Sequence, residues 1–180
     1  MTVKKPKSTT RKPSPDTVAA ALARLDVHFV TGSRKVSGTR LAKQPAVLLA
    51  SLAEQDDARL RIGIIPLLLR HPTLTSLVPQ AAKRLSPRRR DVFKMYYTAA
   101  VLLQQKYAAR LEQLLGFSTP LTDWYSGELG IPANGNPETR LRILASKQCE
   151  RSGLALNWLG TYEHAAERFV RHVERFAEQT

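Results

Sequence analysis

Ser86 to Gly116 reads SPRRRDVFKMYYTAAVLLQQKYAARLEQLLG, and its periodicity sets the architecture of the chain. Ser86-Pro87 pairs an N-cap residue with a proline at the first helical position, where a missing N–H costs nothing. Val92, Tyr96, Ala99, Leu103, Tyr107, Leu111 and Leu114 then advance in steps of three and four, and Met95, Ala100 and Leu102 widen the stripe. Gly116 supplies a residue able to close the helix in the left-handed conformation. The spacing predicts one long central helix, and an apolar band this broad requires helices on more than one side of it.

The flanking segments follow the same pattern. Ser14-Pro15 followed by Val18, Leu22 and Leu25 predicts a short helix from Pro15 to about Asp26. From Pro45 the periodicity runs through Val47, Leu48 and Leu52, then Leu60, Ile64, Leu67 and Leu68; Pro66 is expected to kink or divide the second run, and His71-Pro72 to end it. Leu74, Leu77, Val78 and Ala81 extend the stripe, with Pro79 compatible with a turn and a new helix or with one unbroken element. Beyond Gly116, Thr119-Pro120 predicts a short helix carrying Leu121, Trp124, Tyr125 and Leu129. Asn136-Pro137-Glu138 opens another, with Leu141, Leu144 and Ala145 inward and Ser152-Gly153 at its end. A last helix from about Thr161 to Ala177 aligns Tyr162, Ala166, Phe169, Val173 and Phe176, with Glu167 and Arg171 able to pair on the wet side.

An apolar fraction of 43% over 180 residues supports one core, and the Leu- and Ala-rich mixture favours helix. The expected fold class is all-α: an irregular helical bundle with a long central helix and a disordered basic N-terminal arm. Residues 1–14 form the arm, because Lys4, Lys5, Lys7, Arg11 and Lys12 stand among prolines with no acidic residue and little apolar surface to offset the entropy of ordering. Residues 15–180 form the single helical domain, with a brief extended piece at His28, Phe29 and Val30 and a basic loop over 33–43 that carries Arg34, Lys35, Arg40 and Lys43.

The 28 lysines and arginines outnumber the 15 acidic side chains, for a net charge of +13; solubility alone asks a magnitude of about 2–8 of a small domain. Such a field suits polyanions: nucleic acid, an anionic membrane surface or an acidic protein. The apolar run Ile62 to Leu69 is broken by Gly63 and Pro66 and is far shorter than the ~20 residues of a membrane span, so no transmembrane insertion is expected. One cysteine, Cys149, cannot form an internal disulfide, and the N-terminus lacks an apolar signal core; a cytoplasmic location fits both.

The densest charge lies where two helices meet. Lys83 and Arg84 finish one, and Arg88, Arg89, Arg90 and Lys94 begin the next. Cations favour a helix C-terminus and oppose an N-terminus. Local stability therefore accounts for half of the cluster, whereas a phosphate could receive both backbone donors and arginine donors there.

Catalytic chemistry finds no comparable grouping. His28, His71, His164 and His172 lack zinc-site spacing, and His164 and His172 are about 12 Å apart in helical rise. Asp56 and Asp57 read as the start of the helix holding Arg59 and Arg61, while Asp123 and Glu128 fall off one helical face. Cys149 has no histidine placed beside it, and no Walker-type phosphate loop is present. Helical RNases of one large bacterial toxin superfamily carry an arginine, four to six residues and then a histidine near the end of the bundle; Arg168 and His172, with three residues between them, depart from that pattern. No cofactor and no metal are expected. Among the aromatic residues, Trp124 and Tyr125 would, if exposed, anchor a protein interface or stack on a base.

These features together point to a non-enzymatic nucleic-acid-binding protein, alone or as a subunit of a larger complex. DNA or RNA phosphates would be contacted by Lys4, Lys5, Lys7, Arg11 and Lys12 of the arm, by Arg34, Lys35, Arg40 and Lys43 of the loop, and by Lys83, Arg84, Arg88, Arg89, Arg90 and Lys94. The alternative is a structural or regulatory protein-interaction subunit, including an antitoxin-like partner, docking through Trp124, Tyr125 and leucine-rich helix faces.

Overall fold

The computed structural model describes residues 12–28, 36–116 and 119–178. Lys4, Lys5, Lys7 and Arg11 of the expected arm, the Phe29-Val30 piece, and Arg34 and Lys35 of the expected loop lie outside the described residues. The helices are α1 (Pro15–Arg24), α2 (Thr39–Ala42), α3 (Pro45–Glu54), α4 (Ala58–Ile62), α5 (Ile64–Arg70), α6 (Val78–Lys83), α7 (Pro87–Lys106), α8 (Ala108–Leu115), α9 (Pro137–Ser152) and α10 (Trp158–Ala177), with a 3-10 turn over Pro72–Leu77. No strand occurs among the described residues, and the fold is an all-α bundle.

The breadth of the apolar stripe is explained by what surrounds α7. Helices α3, α5, α9 and α10 all pack on it, and every residue from Met95 to Leu103 is buried. A helix apolar on all sides belongs inside a core rather than at its edge. Tyr96 meets Tyr162 of α10 edge to face, with ring centroids 6.1 Å apart. No single helix among the described residues is long and apolar enough to cross a membrane.

Local caps fix most of the helix starts. The Ser14 hydroxyl accepts from the Thr17 N–H at 3.2 Å, and the Asn136 side chain accepts from the Thr139 N–H at 2.8 Å, each ahead of a proline in the first turn. The last helix begins earlier than its periodicity alone indicates, at Trp158, because Asn157 accepts from the Gly160 N–H at 2.9 Å. The run containing Pro66 divides at Gly63, so the proline falls in the first turn of α5, where no donor is lost.

Besides α2, a short helix over Thr39–Ala42 inside the stretch expected as a basic loop over 33–43, where the Gly38 carbonyl accepts from the Ala42 N–H, two elements differ from the sequence reading. The long central helix breaks at Tyr107 (φ −103°, ψ 17°), although hydrogen bonds continue through the bend from the Tyr107 N–H to the Leu103 carbonyl and from the Leu111 N–H to the Tyr107 carbonyl, both 2.9 Å. The bend turns α8 along α10, where Arg110 pairs with Glu174 at 2.6 Å and Leu111 is buried, while Leu114 is only partly covered. Gly116 then ends α8 in the left-handed region (φ 70°).

The second difference is the segment after Thr119-Pro120, which is not a helix. Its backbone groups are taken by side chains of the core instead. Gln104 accepts from the Leu121 N–H at 2.7 Å and donates to the Thr119 carbonyl at 2.9 Å. The Tyr97 hydroxyl donates to the Thr122 carbonyl at 2.6 Å, and Thr75 Oγ1 accepts from the Thr122 N–H at 3.0 Å while lying 2.6 Å from the Tyr97 oxygen. A chain whose donors and acceptors are satisfied sideways gains nothing by coiling.

Tyr162 is fully buried, and its hydroxyl has no partner among the described residues. Burial raises the Tyr162 pKa well above the usual tyrosine range, with Tyr96 contributing in the same direction. Tyr162→Phe is therefore expected to stabilise the protein by about 1 kcal/mol, since it removes a desolvated hydroxyl and keeps the ring. Denaturant unfolding checks this; a lowered midpoint with unchanged slope would show that the hydroxyl is bonded.

Candidate functional site

The run from Lys83 to Lys94 is sorted by the fold into side chains that hold the protein together and side chains that face water. Arg90 turns back on α6, with Nε donating to the Ala82 carbonyl at 2.9 Å and Nη2 to the Leu85 carbonyl at 3.0 Å. It is the C-terminal cap of α6, delivered from the next helix. Arg89 crosses to the turn between α3 and α4, where Nη1 donates to the Gln55 carbonyl at 3.1 Å and Nη2 pairs with Asp56. Lys94 pairs with Glu128 and stands 5.4 Å from the Tyr125 ring centroid, tying α7 to the irregular segment.

Lys83, Arg84 and Arg88 are exposed and make no ion pair among the described residues. The start of α7 adds unbalanced positive character. Ser86 has cap geometry but its side chain accepts no hydrogen bond, and the first turn has no acidic residue. The N–H groups of that turn and the three outward cations thus occupy one corner of the molecule.

Beside this corner lies a cleft of about 770 Å³. Its rim carries Arg61 from α4, Arg88 and Arg89 from α7, and Arg151 from α9, against Asp56 and Asp91. Its floor is Met95, Tyr96 and Trp158. Arg61 Nη1 donates to the Gln55 and Asp56 carbonyls, each at 2.7 Å, so both arginines of that wall are held rigidly by backbone oxygens. Asp56 also receives Lys12 at 3.3 Å. Hydrogen bonds from Arg89 and Lys12, reinforced by their charges, hold the Asp56 carboxyl below its usual range. Gln148 reaches the cleft from α9; it is buried, and its side-chain oxygen has no partner among the described residues.

The remaining site residues read from sequence are dispersed. Lys12 sits against the α3–α4 turn, and the adjoining Pro13 carbonyl accepts from the Gln55 side chain at 3.3 Å. Arg40 and Lys43 are exposed on and just after α2. Trp124 is 47% exposed, with its indole N–H donating to the Thr75 carbonyl at 3.1 Å. Tyr125 is buried, edge-on to Tyr97 at 5.7 Å, and offers no free face. Arg61, Arg151 and Gln148 were not singled out as site residues from sequence; their only local signal is a basic or polar position near a helix end, and the topology brings them together.

No group of three or more potential metal ligands occurs among the described residues. No protein-family model, no curated protein and no solved structure matches the chain significantly. The chemistry gathered at the cleft is cationic, with Arg61 and Arg89 held in place by backbone carbonyls.

Proposed function

We propose that this is a non-enzymatic nucleic-acid-binding protein that holds the phosphate backbone of DNA or RNA across the α6–α7 junction and along the cleft rim. The observation that carries the reading is the corner where Lys83, Arg84 and Arg88 stand without acidic partners among the described residues, beside a cleft rim that adds Arg61, fixed by backbone carbonyls, and Arg151. Guanidinium groups already immobilised lose little entropy on meeting a phosphate, and a strongly positive surface recruits a polyanion at long range. The same reading places the protein in the cytoplasm and admits further protein partners, for which Trp124 and the exposed Leu154 and Leu156 are the apolar contacts on offer.

The test uses only outward side chains, because removing Arg89 or Arg90 would also disturb packing. Lys83→Gln, Arg84→Gln and Arg88→Gln combined should reduce the magnitude of the log affinity against log salt slope by about 2.7 for a duplex if each cation meets one phosphate. Across a fourfold rise in salt the parent would then lose about 40-fold more affinity than the variant. Fluorescence anisotropy with DNA and RNA across a salt series reads this out, with circular dichroism as the folding control. An unchanged slope for both polymers in a folded variant would exclude this surface, and a native complex that persists at high salt without nucleic acid would favour the protein-interaction reading.

A further inference from the structure

A second cationic site is built from different elements. Between the chain leaving α1 and the C-terminal half of α10 lies a cavity of about 220 Å³, lined by His28, Arg168, Arg171, His172 and Arg175 over a floor that includes Phe169. It shares no residue with the α7 cleft. The two imidazoles are 5.0 Å apart between centroids, and Phe176 contacts both, at 4.7 Å from His172 and 6.3 Å from His28. Drug-sized ligands occupy cavities of roughly 300–1,000 Å³, so this volume suits a small ion.

We propose that this cavity is a binding site for a phosphate-class dianion, either free phosphate or the terminal phosphate of a nucleic acid, and that His172 takes up a proton as the anion binds. Arg171 and Arg175, one turn apart on α10, supply planar donors, and the paired imidazoles, His28 from the α1 exit and His172 from α10 itself, supply ring N–H donors in the same lining. On α10, Arg171 lies 3.7 Å from Glu167, Glu174 is turned away to Arg110, and Arg168 and Arg175 line the cavity. On α5, Arg70 pairs with Asp26 of the α1 exit at 3.4 Å. The inward-facing groups are therefore predominantly basic, with Asp26 and Glu167 already engaged by Arg70 and Arg171.

In the free protein, burial lowers the His172 pKa, and the neighbouring His28 and Arg175 lower it further against an opposing contribution from Asp26. A dianion reverses the dominant charge seen by the imidazole, so the bound state favours the protonated ring. Anion affinity should consequently rise as the pH falls. By the same linkage, the unliganded protein loses stability as pH falls through the ordinary histidine range, because the unfolded chain binds that proton more readily.

Sulfate is the first probe, since its charge is constant over the relevant range, and the imidazole resonances of His28 and His172 are the readout in the full chain. Sulfate is expected to shift both sets of resonances and to bind up to about tenfold more tightly for each pH unit lowered between about pH 8 and pH 6. Arg175→Gln should weaken binding about tenfold, and His172→Gln should remove the pH dependence while leaving weaker binding. Inorganic phosphate competes in one arm; a 5′-phosphorylated oligonucleotide and its unphosphorylated twin compete in the other, so better competition by the phosphorylated strand identifies a nucleic-acid terminus and equal competition identifies free phosphate. Imidazole resonances unmoved by sulfate or phosphate at millimolar concentration, or affinity independent of pH, would overturn the proposal. Because the cleft variant of α6–α7 leaves these residues intact, the two sites fail or stand separately.

Discussion

Gly38→Ala is expected to destabilise the protein by about 3 kcal/mol or more, at the upper end of what overpacking costs. A Cβ at Gly38 would stand 2.1 Å from the Ala21 nitrogen, 2.4 Å from the Ala20 carbonyl carbon and 2.5 Å from the Ala21 Cα. All three atoms belong to the backbone of α1, so no rotamer change can make room. Gly38 also begins α2, which packs on α1, and its carbonyl accepts from the Ala42 N–H at 2.9 Å. Relieving the overlap therefore means moving one helix away from the other and opening the layer that covers Val18, Ala21 and Leu22. Gly127→Ala is the control, because a Cβ there meets nothing within 4 Å, and it should change stability by no more than about 0.5 kcal/mol. Urea unfolding of both variants is the measurement; comparable midpoints would mean that the α1–α2 contact is looser than this geometry.

The close approach at Gly38 is invisible in sequence, where the residue reads as loop punctuation, and the contrast shows what kind of information a single chain carries. Pro15, Pro87 and Pro137 were legible as helix starts because the cap, the proline and the apolar repeat all lie within a few residues of one another. Thr119-Pro120 has the same local form and starts no helix, since Gln104, Tyr97 and Thr75 claim its backbone groups from distant positions. The width of the α7 stripe correctly implied neighbours on several sides. The bend at Tyr107 had no such signal, as apolar spacing continues through it and the residue responsible is neither proline nor glycine.

The candidate site divides along the same line. A run of basic residues around Ser86-Pro87 is a local feature and was readable. Which of its members remain available is not local: Arg90 closes α6, Arg89 meets Asp56, and Lys94 meets Glu128. Three outward cations at the corner are what that sorting leaves, and the arginines that extend the surface, Arg61 and Arg151, arrive from α4 and α9. The His28–His172 pair has the same origin, because the two rings are distant in sequence and meet only where α10 returns past the end of α1.

Asp123→Ala should cost about 3–5 kcal/mol, because it leaves a guanidinium buried without its counter-ion. The Arg140 side chain is only 7% exposed. Its Nη2 donates to Asp123 at 3.0 Å and to the Ser126 hydroxyl at 3.2 Å, and Nη1 reaches Gln105 at 3.3 Å, while Nε has no partner among the described residues. Asp123 in turn accepts from the Ser126 N–H at 3.0 Å, so one carboxylate both neutralises α9 and shapes the turn that stands where a helix was expected. Arg140→Met added to Asp123→Ala should recover much of the loss, since neither charge then remains in the interior. Acid sensitivity supplies an independent check. Burial pushes the Asp123 carboxyl up, but hydrogen bonds from Ser126 and Arg140 and the charge of Arg140 outweigh it and hold the group below its usual range. The unfolded chain takes up this proton near pH ~4 and the folded chain only at lower pH, so the contribution is complete above that value and disappears as pH falls through the folded pKa. In the double variant this part of the acid dependence should vanish, and stability curves between neutral pH and the acid transition should run flatter than those of the parent. A single variant as stable as the parent, or a double variant no better than the single, would show that the Arg140 charge is compensated by groups other than Asp123.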